Sequence, residues 1–165
     1  TQEFELLRDL IEQQCGIAVG RDKEYLIESR LAQLVIEYGC NSYGEFYQKA
    51  RMGNDPNLNR KLLDAVTTRE TFWFRDDHPF TILKELLLPR LFEELLKGRR
   101  SDIRIWSAAS STGQEPYSVA MLAHEAVEQA RYPESLLERF SILATDISPS
   151  AILMAKLARY DGIAM

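Results

Sequence analysis

The chain has 165 residues, 45% hydrophobic and 27% charged, with a formal net charge of −5. That length suits one ordinary domain or two small ones, and that balance suits a packed core rather than a disordered chain. The acidic total, with no run of five like charges, argues against a general nucleic-acid binder, which needs a basic face for phosphates.

The opening stretch TQEFELLRD is polar, and the apolar runs fall far short of the roughly 20 residues that span a bilayer. The expectation is therefore a cytoplasmic protein with no leader and no membrane insertion. Its two cysteines, Cys15 and Cys40, are expected as buried thiols rather than a disulfide.

Phe4, Leu7 and Ile11, backed by Leu6 and Leu10, recur at helical spacing and predict a first helix. A turn follows around CGIAVGRD. Ile27, Leu31, Leu34, Val35 and Tyr38 share one face of a second helix, with Gly39 as its stop. Ser42 and Glu45 form a capping-box pattern that opens a third helix through Met52. After the turn GNDPN, a fourth helix runs from Asn57 to Val66.

The character changes near Asp76, which divides the chain into a helical domain over 1–76 and a second domain over 77–165. Phe80 to Leu96 is an apolar helical stretch containing Pro89. Proline lacks a donor and clashes with the preceding turn, so this is one kinked helix or two. DIRIWSA predicts a strand and ASSTG a loop of small residues. Pro116 suits the first turn of a helix running to about Ala130. FSILATDI predicts a second strand, and Ser148 and Pro149 suit the cap and first position of a last helix. This order opens a parallel α/β sheet. Both strands are apolar on both faces, as in a sheet covered by helices. At least one edge lacks a partner within the chain, so the 165-residue chain is expected to dimerise, swap elements or aggregate.

The candidate chemistry lies at three places. Ligands of open α/β sheets bind beyond the carboxyl ends of the strands, which puts the loop between Trp106 and Glu115 at a site. Its small residues, Ala108 through Gly113, would let a ligand approach the backbone. It lacks G-x-G-x-x-G, so a pyrophosphate cofactor is not indicated; an ordinary tight turn is the plain alternative. Glu115 and Asp146 follow adjacent strands and should flank one crevice. Carboxylates there accept from ribose hydroxyls or an α-amino group and favour a cation, although acids also simply stabilise helix N-termini. The third place is VTTRETFWFRDDHPF, residues 66–80. Phe72, Trp73 and Phe74 suit packing at the seam between the two halves. Arg75 presents a fork of donors suited to a carboxylate, or a surface ion pair with Asp76 or Asp77. His78 and His124 make no metal-ligand spacing with the cysteines or acids.

TTRETFWFRD, IWSAASSTGQEPYS and ILATDIS followed by the ILMAKLA helix, in this order and spacing, resemble the CheR family of chemotaxis methyltransferases. KEYLIESRLAQL is similar to that family's helical front, and the resemblance covers nearly the whole chain. It implies an α/β fold class: an N-terminal all-α domain followed by the first part of a Rossmann-like, S-adenosylmethionine-dependent methyltransferase domain. Cofactor contact falls on Arg69, Thr71, Arg75, Glu115 and Asp146, and Arg75 also orients the substrate as the catalytic residue. The family usually has asparagine at Arg69, and arginine lacks that amide acceptor; Gln114 stands where glutamate is common. The family's domain continues with further strands and a β-subdomain, so the chain is expected to be truncated and inactive alone.

The implied reaction moves a methyl group from sulfonium sulfur to a glutamate oxygen on the cytoplasmic helices of a chemoreceptor, leaving S-adenosylhomocysteine. A glutamate with a pKa near ~4.3 is already anionic, so no general base is needed. Alignment and removal of water carry the catalysis. The alternatives are a non-catalytic CheR-like receptor- or cofactor-binding module, and a nicotinamide dehydrogenase, against which the absent glycine fingerprint argues.

Overall fold

The apolar spacing of the front half produces helices α1 (Gln2–Cys15), α2 (Glu24–Glu37), α3 (Tyr43–Met52) and α4 (Pro56–Val66) in the computed structural model, which describes residues 2–161. Phe4, Leu7, Leu10 and Ile11 of α1 meet Ile27, Leu31, Leu34 and Val35 of α2, Phe46 and Ala50 of α3, and Leu58, Leu62 and Val66 of α4 in one core. Phe46, Leu31 and Leu62 are completely buried, each such side chain contributing about 1.5–3 kcal/mol of burial. Leu6 instead faces solvent, because it falls between the positions that a 3.6-residue period turns inward. Cys15 and Cys40 are free thiols, half-buried at the margin of this core rather than fully inside it.

The capping box forms with a shifted return bond. Ser42 Oγ accepts from the Glu45 backbone N–H at 3.1 Å. The Glu45 carboxylate reaches past Ser42 to the backbone N–H of Asn41, at 2.9 Å. That N–H, first among the causes, holds the Glu45 carboxyl below its ordinary range. Its contribution to stability is present above the ordinary carboxylate range and is lost as pH falls through the depressed native value. Ser42→Ala is expected to destabilise this unit by about 1 kcal/mol, measured by urea unfolding.

In the second half, α5 (Asp77–Ile82) and α6 (Leu88–Leu96) are joined by a π-helical turn over Leu83–Leu87. Here the Leu88 N–H donates to the Leu83 carbonyl. The wide turn relieves the crowding that Pro89 would impose, and Pro89 then lies in the first turn of α6, where a missing N–H leaves no bond broken. Of the two expected outcomes the chain takes the second, two α-helices, joined by this turn.

Strands β1 (Ile103–Ala108) and β2 (Phe140–Thr145) are parallel, with Ile103 opposite Phe140 and Ala108 opposite Thr145. Between them runs α7 (Gln114–Gln129), and α8 (Pro149–Leu157) follows β2. Ile103 joins Leu88, Phe92, Leu95, Leu122, Ala123, Val127 and Leu136 in a second core. Among the described residues only this face of the sheet is covered. On the other, Trp106 is 67% and Leu143 64% exposed.

The chain forms two compact units, Thr1–Thr68 with Ile147–Pro149, and Arg69–Asp146 with Ser150–Met165. The division precedes the change of composition near Asp76, because Arg69–Asp76 is hydrogen-bonded into the second unit through Ser111 and Ser118. Among the described residues no helix is long and apolar enough to cross a membrane.

Candidate functional site at the carboxyl ends of the strands

The parallel pairing of β1 and β2 brings the loop after β1 beside the end of β2. The Ser110 N–H continues the pairing by donating to the Thr145 carbonyl at 2.9 Å. The next residue turns sharply: Ser111 has φ +49° and Ala109 φ +60°, a region that non-glycine residues seldom enter. This turn aims the Ser111 N–H at the Asp146 carboxylate, 2.7 Å away. The Ser111 hydroxyl donates in turn to the Arg69 carbonyl at 3.2 Å. Asp146 and Arg69 thus meet on one serine. It is the backbone of Arg69, not a side-chain amide, that makes this link.

Glu115, in the first turn of α7, is exposed. Its carboxylate accepts from the hydroxyl of Ser107, a buried residue of β1, at 2.6 Å. Each of the two acids is therefore anchored by a different serine at the end of the sheet. Neither Ser107 nor Ser111 was singled out from the sequence, where a serine in a strand or loop carries no positional signal.

Gly113 shows why small residues are needed in the loop, and the reason differs from ligand access. Its φ is +102°, and a Cβ there would come within 2.6 Å of the Tyr160 hydroxyl and 2.9 Å of Ala155 Cβ. The absent side chain makes room for α8 and the segment behind it. Tyr160 donates to the Thr112 carbonyl at 2.7 Å, and Tyr117 to the Ala155 carbonyl at 3.0 Å. Burial, reinforced by Tyr117, pushes the Tyr160 phenol above its ordinary range, so it remains a donor.

Arg75 sits between two residues in left-handed backbone conformations, Phe74 with φ +51° and Asp76 with φ +58°. Its guanidinium donates to the Glu70 carbonyl at 2.8 Å, lies 5.6 Å from the Phe72 ring centre and approaches Asp76 at 3.7 Å. The surface ion pair considered from the sequence is thus present but long. Trp73 packs edge-on against Tyr160, and Phe74 against Phe80, so these aromatics have partners inside the second unit. Thr71 lies half-buried in the same segment.

The donor set has a definite chemical character. It offers two carboxylates as acceptors, a buried Ser110 hydroxyl with no hydrogen-bond partner, and no glycine-rich cradle for phosphate. Such a set fits a ligand with hydroxyl and ammonium donors. A separate apolar hollow of about 510 Å³, walled by residues such as Trp73, Met121 and Tyr160, is lined by none of the five candidate residues. Chemistry, not volume, marks the site.

Residues 69–165 match the family described as CheR methyltransferase, SAM binding domain, and residues 2–67 match its all-alpha domain. The chain belongs to the CheR methyltransferase family. It is 43% identical to a chemotaxis protein methyltransferase 1 of Vibrio cholerae, over 99% of this chain and 57% of the relative. The same figures hold for a chemotaxis protein methyltransferase 1 of Pseudomonas aeruginosa. A chemotaxis protein methyltransferase of Borreliella burgdorferi is 35% identical over 96% of this chain and 54% of the relative. The chain thus spans little more than half the length of these relatives. The CheR boundary between 67 and 69 coincides with the division between the two compact units. The cofactor of the matched CheR domain is S-adenosylmethionine, a ligand with ribose hydroxyls, an ammonium and no phosphate.

Proposed function

We propose that this chain carries the helical and cofactor-binding parts of a methyltransferase that forms glutamate methyl esters on chemoreceptors in the cytoplasm. The observation that supports this best is the Asp146–Ser111–Arg69 linkage at the carboxyl end of a parallel strand pair. It ties a cofactor-type carboxylate to the segment bearing Arg75.

Asp146 and Glu115 would accept from the ribose hydroxyls and the ammonium, and Arg69 and Thr71 would border the same cofactor. S-adenosylmethionine, when bound, supplies an electrophilic methyl on a sulfonium. Arg75 would orient the glutamate carboxylate of a receptor helix toward it. The ion pair with Asp76 is long and exposed, worth at most about 1 kcal/mol, so exchanging it for a substrate carboxylate costs little. Too firm a grip would stabilise the ground state and slow transfer. The helical unit would present the receptor-docking face.

The test is transfer of a labelled methyl group from S-adenosylmethionine to receptor cytoplasmic helices by the full-length protein, read as base-labile label. Label that disappears when receptor glutamates are changed to glutamine would support glutamate esterification. Binding of S-adenosylhomocysteine without any ester would leave a non-catalytic binding module instead.

The exposed Trp106 and Leu143 on one face of a two-stranded sheet support a further expectation for the 165-residue chain by itself. It should dimerise or aggregate, because an uncovered apolar sheet with open edges templates association. Light scattering that shows a stable monomer would count against this.

A further inference from the structure

Three of the five candidate residues, Arg69, Thr71 and Arg75, lie on one irregular segment outside any helix or strand. Such a segment cannot hold a reacting group within fractions of an ångström by itself. Besides the ring contacts of Trp73 and Phe74, two buried serines fasten it. At one end the Ser111 hydroxyl donates to the Arg69 carbonyl, while the Ser111 N–H holds Asp146. At the other end the Phe74 N–H donates to Ser118 Oγ at 3.1 Å. That hydroxyl donates onward to the Gln114 carbonyl at 2.7 Å, one turn back in α7. Ser118 is completely buried, and Ser111 nearly so.

The second fastening holds an unfavourable conformation. Phe74 has φ +51°, and Asp76, on the far side of Arg75, has φ +58°. A bulky residue persists in that region only where its surroundings over-determine it. The Ser118 hydroxyl is the hydrogen-bond acceptor available to the Phe74 N–H in this pose, and it is itself fixed on a regular helix.

We infer that Ser111 and Ser118 are positioning residues of the methyl transfer, acting through different partners. Ser111 sets Asp146 against Arg69 and so governs cofactor affinity. Ser118 sets the backbone that aims Arg75 and so governs turnover. The inference rests on the assignment of Arg69–Arg75 to the cofactor and substrate site.

The two roles predict different phenotypes in the full-length protein. Ser111→Ala keeps the N–H that holds Asp146 and removes only the hydroxyl bond to the Arg69 carbonyl; by loosening Arg69 it should weaken S-adenosylhomocysteine binding about five- to tenfold in calorimetry. Ser118→Ala should leave that affinity within about twofold and lower kcat on receptor about tenfold, with KM little changed. Ser118→Cys, close in volume but a weak hydrogen-bonding group, should behave like Ser118→Ala, which separates the lost hydroxyl from a packing defect. Amide hydrogen exchange across residues 69–76 should speed up in both Ser118 variants, with or without cofactor. Unchanged exchange there would overturn the clamp. So would a pair of serine variants whose affinity and turnover fall together in proportion to lost thermal stability. Faster exchange in the Ser118 variants, with a wild-type protein that binds no S-adenosylhomocysteine, would instead preserve the clamp and refute the cofactor assignment.

Discussion

Asp146→Ala in the full-length protein should weaken S-adenosylhomocysteine binding about ten- to a hundredfold. The carboxylate stands at the carboxyl end of β2 and is fixed there by the Ser111 N–H at 2.7 Å. That bond orients the carboxylate, which offers about four lone-pair sites. Hydrogen bonds from ligand hydroxyls to an ionised group contribute about 1.5–3 kcal/mol, which is about one to two decades of dissociation constant. Asp146→Asn serves as the companion variant, because it keeps an acceptor for Ser111 while losing the charge. Its affinity should fall between alanine and wild type. Calorimetric affinity unchanged in both variants would remove Asp146 from the cofactor site.

Arg75→Ala should lower methyl transfer to receptor about a hundredfold, the scale that a misplaced reactant costs. Affinity for S-adenosylhomocysteine should move by no more than about threefold, under 1 kcal/mol. The guanidinium is nearly half exposed, with a side-chain accessibility of 46%, and its partners are a carbonyl, an aromatic face and a distant carboxylate. None of these demands its charge strongly, so the charge is available to an incoming carboxylate. Arg75→Lys should recover little, because an ammonium cannot keep the contact to Glu70 and offer a planar pair of donors at once. Near-normal turnover in the alanine variant would reduce Arg75 to a surface residue packed on Phe72.

The two predictions draw on different kinds of information. The positions of Asp146 and Glu115 could be read from the pattern alone, because an apolar strand run places the residues that follow it at a known end of the sheet. The first two front helices were legible because Phe4, Leu7, Ile11, Ile27, Leu31 and Leu34 keep a 3.6-residue period that burial then enforces, the third from its capping box of Ser42 and Glu45, and the fourth from the turn before it. The serines that fasten the acids and the 69–76 segment were not legible. Ser107, Ser111 and Ser118 act through which way each side chain points, and that follows only from strand register and helix phase. Nor were the left-handed conformations at Phe74, Asp76 and Ser111 legible, since none of them is glycine and tertiary bonds impose them. Composition placed the seam near Asp76, whereas the bonding of 69–76 to Ser111 and Ser118 puts that stretch in the second unit. The shared boundary with the CheR domains follows that bonding and not the composition.

The π-helical turn ahead of α6 ties the count of residues to the identity of one of them. Drawn on a regular wheel, Leu83 and Leu88 fall out of phase, yet both reach the same core, because the wide turn absorbs one residue more than an α-helix would. Deleting a single residue between 84 and 87 would close the turn and keep the stripe aligned. It would also leave Pro89 in a helix interior, at a cost of about 3 kcal/mol or more. The same deletion made together with Pro89→Ala would restore an unbroken helix. The turn can therefore shorten in descendants of this sequence only after or together with the loss of Pro89, and a chain that shortened it first would be selected against.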